Sequence, residues 1–391
     1  MEVRLLSAVD TKSTVLISAN TAWYLYNFKR SQIIHLLNRD YRVVCVAPRD
    51  EYIGELTSLG CEVIEMSINR YSVNPLSALL TLFKFAVVAS KVQPDYLLTF
   101  TPKVNVFGGL YKLFLGGDVK HIPNVSGLGK CVDKSCANIN PLLHALYKVS
   151  FYKSDWIVFQ NEPDRRLFIA KNLVKADQSS RVIGSGVDLN RFVPVDNRFN
   201  SSVKFLIACR LIEEKGVRLF VEAAKAFRKH SKVEASFTII GIIEKSNVSA
   251  IKKSELNEWC KDGLIEYAGP TDSIENELHK YDCVVLPTYY SEGVPKVLME
   301  AAACGVPVIT TNTDGCLDTV EECKNGFLVE PQSVNSLLDA MLEYSKLSVD
   351  QRVEMSMFAR RLAVRKFDEA QVFSEYDSIM EGLCEPEYST P

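Results

Sequence analysis

The sequence predicts an α/β protein made of two doubly wound units in series, and three observations lead there. Short β-branched runs alternate with helical periods over most of the chain, as in parallel sheets covered by helices on both faces. Near the middle, residues 184–204 are rich in Gly, Pro, Asn and Ser and lose that periodicity, which reads as a linker. The length of 391 residues suits two or three domains.

In chain order, the first unit shows strand-like runs at 14–18, 43–47, 62–66, 96–99, 119–122, 156–159 and 182–183. The second shows them at 204–208, 236–240, 265–267, 283–286, 307–310 and 327–329. The boundary falls near Val193, giving an N-terminal domain over 1–192 and a C-terminal domain over 193–366. A last helical stretch within 367–391 follows the final strand and is expected to cross back onto the first domain. Open α/β sheets bind ligands beyond the carboxyl ends of their strands, so two such domains facing one another place a binding cleft between them.

Composition narrows the class. With 47% hydrophobic and 24% charged residues, the chain is excluded from the disordered and low-complexity classes. The net charge of −3 is uneven: residues 1–190 hold 22 Lys and Arg against 16 Asp and Glu, and the remainder 23 against 32. The basic half is thus the one suited to an anionic partner. Eleven scattered cysteines with no CxxC pair indicate neither a disulfide framework nor a zinc site, and favour a reduced, cytoplasmic chain. The N-terminus lacks a secretory signal pattern, and the longest apolar run, 76–90, is interrupted by Lys84 and short for a bilayer span. The expectation is that no segment crosses a membrane.

The densest chemical signal is LPTYYSEGVPKVLMEAAACGVPVITT, residues 286–311. A strand ends at Leu286, turn-formers follow, Pro295 marks a helix start, and Gly305 with Pro307 ends that helix and opens the next strand. The helix N-terminus beside Gly293 suits a phosphate. Glu292 in the loop and Glu300, about two helical turns further on, lie at different depths along one face. Carboxylates in such places suit sugar hydroxyls, each accepting two hydrogen bonds. The competing reading is a loop charge and a solvated helix glutamate. A second segment, KFLIACRLIEEKGV at 204–217, puts Arg210 and Lys215 after a buried strand. Such cations suit a leaving diphosphate, and the competing reading is surface ion pairs with Glu213 or Glu214.

These segments resemble the nucleotide-binding signature of the family 4 retaining glycosyltransferases, whose GT-B fold is two Rossmann-like domains facing across a cleft. The resemblance implies that Arg210 and Lys215 grip the donor diphosphate and that Glu292 contacts the transferred sugar. It implies that Glu300 holds the ribose hydroxyls, with Gly293, Val294, Lys296 and Val297 at the phosphate-facing helix start. Gly241, ending the strand of FTIIGIIEK, faces the cleft, and Pro270 and Thr271 form the nucleobase-side loop. Departures from the family pattern are Cys209 where glycine is common, Asp318 where glutamate is commoner, and Ser291 where relatives often carry arginine.

The first half lacks the GxGxxG of a dinucleotide binder. The segments ISANTAWYLYNFKRSQIIHLL, PDYLLTFTPKVNVFGGL, HIPNVSGLGK and DWIVFQNEPDRRLF resemble the branch that builds bacterial surface polysaccharides and glycan lipids. That resemblance puts Asn20, Lys103, Asn124, Ser126 and Gly127 on the acceptor side, with Phe28, Lys29 and Arg30 entering the first helix. The loop 124–129 has no histidine, unlike many family members; His121 on the preceding strand reads as structural more than catalytic.

From Phe100 to Lys153, seven lysines (103, 112, 120, 130, 134, 148 and 153) stand against Asp118 and Asp133, interspersed with Phe107, Tyr111, Phe114, Tyr147, Phe151 and Tyr152. Such a face suits anionic headgroups near a lipid-linked acceptor; the alternative is an ordinary surface with buried aromatics. Nucleic acid fits poorly with an acidic chain carrying no nucleic-acid motif.

The resemblance implies a retaining, metal-independent transferase with no cofactor beyond its nucleotide-sugar substrate, a UDP-sugar. Its acceptor is a saccharide on a polyprenyl diphosphate, and its place is peripheral, on the cytoplasmic face of the inner membrane. The competing functions are a catalytically silent nucleotide-sugar-binding subunit of an assembly complex and a GT-B sugar-nucleotide epimerase or phosphorylase.

Overall fold

The computed structural model describes residues 12–68, 74–127, 132–133, 138–139, 141–195, 199, 202–244, 247–290 and 292–384. Ser291, Lys130, Lys134, the end of the 124–129 loop and the stretch 385–391 lie outside them. The first sheet contains β1 (Thr14–Ser18), β2 (Arg42–Ala47), β3 (Glu62–Glu65), β4 (Tyr96–Phe100) and β5 (Lys120–Val125). After a short antiparallel ribbon of β6 (Val132–Asp133) and β7 (Asn138–Ile139), it is completed by β8 (Ile157–Phe159) and β9 (Ser179–Arg181). The second sheet contains β10 (Val203–Ala208), β11 (Ala235–Ile240), β12 (Ile265–Gly269), β13 (Cys283–Leu286), β14 (Val308–Thr311) and β15 (Gly326–Val329).

Both sheets are wholly parallel, in the orders β3-β2-β1-β4-β5-β8-β9 and β12-β11-β10-β13-β14-β15. The order reverses between β1 and β4 and again between β10 and β13, so each domain has its switch point there. Every residue of β1, β4 and β13 is buried, as strands covered on both faces must be. The ribbon was not legible in the sequence, and the strand read at 182–183 lies at 179–181. Its register is set by Phe159 opposite Arg181, while Val182 adds one more hydrogen bond to Phe159 and leaves the sheet.

The right-handed crossovers sort the helices by face. On one side of the first sheet lie α1 (Ala22–Asn38) and α2 (Ile53–Ser58). On the other lie α3 (Pro75–Val92), α4 (Pro102–Phe114), α5 (Pro141–Phe151) and α6 (Glu162–Ala170). The second sheet carries α7 (Val217–His230), α8 (Lys253–Cys260) and α12 (Val334–Lys346) on one face. Its other face holds α9 (Ile274–Leu278), α10 (Lys296–Ala303) and α13 (Val349–Lys366), with the short α11 (Asp314–Leu317) after β14.

The helix starts are chemically specified. Thr21 caps α1 through the Tyr24 amide at 3.0 Å, Asn161 caps α6 through Asp164 at 2.7 Å, and Ser348 with Gln351 forms a capping box on α13.

The last helix, α14 (Glu369–Gly382), sits on the first domain, with Val372, Tyr376, Ile379 and Met380 in the cluster that holds Leu25, Ile33 and Leu36 of α1. Asp377 meets His35 at 2.9 Å and Arg39 at 2.5 Å, and the Tyr96 hydroxyl donates to the Met380 carbonyl at 3.0 Å. Where the chain returns, Val187 donates to Phe367 and Glu369 donates to Val187, at 2.7 and 3.2 Å. Val187 and Phe192, ahead of the expected boundary at 193, pack in the core of the second domain.

Candidate functional site

Loops at the carboxyl ends of the two sheets meet: the loop after β13 contacts the loop after β5 through Gly293 and Ser126, and Lys296 of α10 contacts Asn27 of α1. In the second domain, Arg210 and Lys215 follow β10, and Glu292 follows β13. Lys215 is 7% exposed, and its ammonium donates to both oxygens of the Glu292 carboxylate, at 2.5 and 2.7 Å. The Thr288 hydroxyl lies 3.3 Å from the same carboxylate, and the Tyr290 ring centroid is 5.8 Å from the Lys215 nitrogen. Arg210 contacts Glu244 at 3.2 Å. Among the described residues Lys215 pairs with Glu292 and not with Glu213, which faces Arg218, whereas Arg210 does sit in a part-exposed ion pair, with Glu244. Burial pushes the neighbouring Cys209 thiol up to about 12, so it is an uncharged wall here.

The short helix α10 begins at Lys296, with Pro295 as its N-cap residue, and Leu298 donates back to the Pro295 carbonyl. Glu300 is therefore only one turn into the helix; half of the eight-residue spacing from Glu292 is loop. Glu300 is 8% exposed and 3.9 Å from the Lys296 ammonium. Burial raises its carboxyl above the usual range, partly offset by Lys296 and Arg191. Lys296 has its own pKa lowered by burial; its ammonium donates to the Asn27 carbonyl and lies 5.3 Å from the Phe28 ring centroid. Val294 is buried and Val297 half-buried, both within the core beneath α10.

Gly241 donates to Gly269 at 3.0 Å and accepts from the Tyr267 hydroxyl at 2.8 Å, tying the ends of β11 and β12 together. Pro270 is exposed and Thr271 half-buried, the Thr271 hydroxyl accepting from Ser273 at 3.1 Å. Asp272 in the same loop accepts from the Tyr52 hydroxyl of the first domain at 2.9 Å.

Closer to the centre, the Gly293 amide donates to the Ser126 carbonyl at 2.9 Å. Gly127 has φ +119°, and a Cβ there would lie 2.6 Å from the Gly293 nitrogen. A Cβ at Gly315, just after β14, would lie 1.8 Å from the Gly293 carbonyl oxygen. Three backbones thus converge where no side chain fits.

On the first domain, Asn124 is fully buried and its side chain is spent on structure: it donates to the Tyr376 hydroxyl at 2.9 Å and accepts from Gln160 at 3.0 Å. It is a floor under the Ser126–Gly127 loop and not a surface for an acceptor. Asn20 is half-buried just after β1, and Lys103 is half-buried in the first turn of α4, with its pKa lowered by burial. His121 is buried between Thr99 and Ser154 at 2.9 Å each, and burial pushes it down to about 3, which makes it a neutral core residue. Asp318 stands 2.7 Å from Arg181 across the domain boundary, as an ion pair without hydrogen-bond alignment.

The sequence did not single out Tyr24, Gln160 and Tyr376, which build that floor. Burial raises Tyr24 to about 12 and Tyr376 higher still, so both stay protonated. Lys29 is 1% exposed, lies 4.3 Å from the Phe100 ring centroid, and is pushed down to about 7, first by burial and then by Lys296. Among the described residues no cluster of three or more His, Cys, Asp or Glu side chains is arranged to hold a metal.

The lysine-rich face at 100–153 differs from expectation. Phe107, Tyr111, Tyr147 and Phe151 are core residues, and Lys112 is tied to the Gly117 and Val119 carbonyls. Of the aromatics, Phe114 and Tyr152 are exposed.

Comparison with known proteins gives this cleft a family. Residues 14–161 match the model described as glycosyl transferase 4-like, and residues 202–346 match the one described as glycosyl transferases group 1. One relative is the Campylobacter jejuni N,N'-diacetylbacillosaminyl-diphospho-undecaprenol alpha-1,3-N-acetylgalactosaminyltransferase, 28% identical over 83% of this chain and 88% of its own. The Staphylococcus aureus capsular polysaccharide biosynthesis glycosyltransferase CapM is 23% identical over 90% of this chain and 92% of its own. An Escherichia coli UDP-Gal:alpha-D-GlcNAc-diphosphoundecaprenol alpha-1,3-galactosyltransferase is 29% identical over 48% of this chain and 50% of its own. Among solved structures, Anabaena HepE in complex with UDP and glucose superposes with a TM-score of 0.77, at 14% identity over 95% of this chain and all of that one. The fold is therefore GT-B, and the two family models between them span well over half of the sequence. The chain belongs to the family 4 glycosyltransferases.

Proposed function

We propose that the protein transfers a sugar from a UDP-sugar, with retention and without a metal, to a saccharide carried on a polyprenyl diphosphate. The acceptor is met at the cytoplasmic face of the inner membrane. The observation that carries the reading is the buried Lys215–Glu292 pair at the switch point of the second sheet, with Arg210 following β10, α10 beginning four residues after Glu292, and Glu300 buried one turn in. Support for the acceptor class comes from the undecaprenyl-diphosphate-linked substrates in the names of the C. jejuni and E. coli relatives. Support for the donor comes from the UDP-Gal of the latter and the UDP bound by HepE.

Arg210, Lys215 and the α10 amides are cations and donors fixed where the leaving diphosphate gains charge. As the anomeric C–O bond breaks, its electron pair goes to the diphosphate, and Glu292 stabilises the positive character left on the sugar. The acceptor hydroxyl forms the new bond on the leaving-group side and passes its proton to the departing phosphate oxygen. Glu300 accepts hydrogen bonds from the ribose hydroxyls. A silent nucleotide-sugar-binding subunit is disfavoured by the chain's keeping Arg210, Lys215, Glu292 and Glu300 together at the carboxyl end of the second sheet.

The test is acceptor-dependent UDP release from a panel of UDP-sugars, together with its loss in Glu300→Ala. Full-rate release by that variant would overturn the donor-site assignment, and no turnover with any lipid-linked saccharide would overturn the transferase reading.

A further inference from the structure

A run of exposed apolar side chains lies on α3, outside the cleft. Leu76, Leu79, Leu80 and Phe83 are 62–71% exposed and Val87 is 38% exposed. At 3.6 residues per turn these five fall within an arc of about 100°. Phe85 and Ala89, on the side turned away from this arc, are locked into the first-domain core, Phe85 against Phe107 and Tyr111 of α4. The helix has a mean hydropathy of 1.5 yet buries only 17% of that window. It is apolar enough for a bilayer, but its inner side is committed to the fold, so it can lie along a membrane and not through one. Next in this layer, beyond α4, α5 exposes Leu142, Leu146 and Val149, and Tyr152 follows it. The close α4–α5 approach at Gly109, where a Cβ would lie 1.9 Å from the Ser150 carbonyl oxygen, fixes the two helices together.

Charge selects the occupant. Helices α3, α4 and α5 contain no Asp or Glu. Lys84 and Lys91 flank the α3 stripe, and Lys148 and Lys153 stand beside the α5 group, all exposed. A second copy of this face would bring cations against cations, whereas an anionic bilayer supplies both an apolar interior and negative headgroups.

Position gives the surface a purpose. In a parallel sheet each crossover helix starts at the carboxyl ends of the strands, so Leu76, Leu79 and Leu142 lie near the mouth of the cleft.

We propose that α3, with the adjoining surface of α5, is an in-plane insertion surface that seats the first domain on an anionic bilayer with its cleft mouth at the headgroups. This deepens the lipid-linked acceptor reading, since a polyprenyl-linked saccharide would enter from that side.

The test is co-flotation of the full chain with vesicles of phosphatidylglycerol and phosphatidylethanolamine, and separately of phosphatidylcholine alone. These vesicles hold no lipid-linked saccharide, so the result stands apart from whether the acceptor class is right, which UDP release addresses. Binding is expected to the anionic vesicles and to fall with salt. The Leu80→Glu/Phe83→Glu variant is expected to reduce partition by roughly 100-fold, from the loss of two inserted side chains. Both positions are more than 60% exposed, so its melting temperature should stay within a degree or two of wild type. Lys84→Glu/Lys91→Glu should abolish the preference for anionic lipid while retaining weak binding to both. Flotation unaltered by either variant would overturn the proposal. So would a dimer in sedimentation that the Leu80→Glu/Phe83→Glu variant dissociates with no vesicle binding by wild type, which would make the face an interface between copies.

Discussion

The Lys215–Glu292 pair admits a quantitative test through Glu292→Gln. Lys215 is 7% exposed, and both of its close anionic contacts are the Glu292 oxygens at 2.5 and 2.7 Å. Removing one partner of a buried pair leaves the other charge uncompensated, at a cost of about 3–5 kcal/mol. The Glu292 side chain is 21% exposed, and the amide oxygen of glutamine still accepts one hydrogen bond, so about 3 kcal/mol, the low end, applies. For a domain of this size that is a fall in melting temperature of roughly 6–12 °C. Lys215→Met alone strands a carboxylate that water reaches in part, and should cost less. The double variant carries no charge at either position and should be more stable than Glu292→Gln alone, with a coupling of about 2 kcal/mol in a double-mutant cycle. Turnover should fall roughly 100- to 1000-fold in each single variant, and no further in the double than in the worse single. The assay is thermal melting of the four proteins together with UDP release. A coupling below about 0.5 kcal/mol, or additive losses of turnover, would show that the two residues do not act as one unit.

Two further outcomes follow from the same geometry. Gly315→Ala drives a methyl into the Gly293 carbonyl at 1.8 Å, a backbone clash that should cost about 1–3 kcal/mol and weaken UDP binding in calorimetry; Gly54→Ala, with nothing within 4 Å, should do neither. Lys29, pushed down to about 7 from 10.5, binds its proton less tightly in the folded chain than in the unfolded one. Its penalty is therefore full below pH 7 and fades as pH rises towards 10.5, with an upper limit of about 4–5 kcal/mol. Lys29→Met should raise the melting temperature at pH 7 and leave it nearly unchanged at pH 10.5; an equal effect at both would refute the burial argument.

Much of the architecture was legible because parallel strands buried on both faces leave unbroken apolar runs such as TVLIS and CVVL, and because capping residues mark the helix starts. The loops of the candidate site were legible for a different reason: Glu292, Gly293, Glu300, Arg210 and Lys215 lie in two short segments whose spacing is itself the signal. What escaped the sequence is whatever depends on contacts far apart in the chain. Nothing local says that Asn124 is consumed by Tyr376, 252 residues away, or that Lys215 finds Glu292, 77 residues on. Nor does local sequence tell a buried aromatic from an exposed one, which is why Phe107 and Tyr147 read as surface, and the apolar run at 76–90 gave no sign that its larger side chains point outward.

The return of α14 has a consequence for how the protein is made. Tyr376, Ile379 and Met380 complete the cluster around Leu25, Ile33 and Leu36, yet they leave the ribosome more than 330 residues after Leu36 does. The first domain to be synthesised is thus the last to be sealed, and throughout elongation its α1 face is an open apolar groove. Domains that fold as they emerge are vulnerable at such faces. Here that face is covered only once the chain beyond the second domain delivers α14 to it.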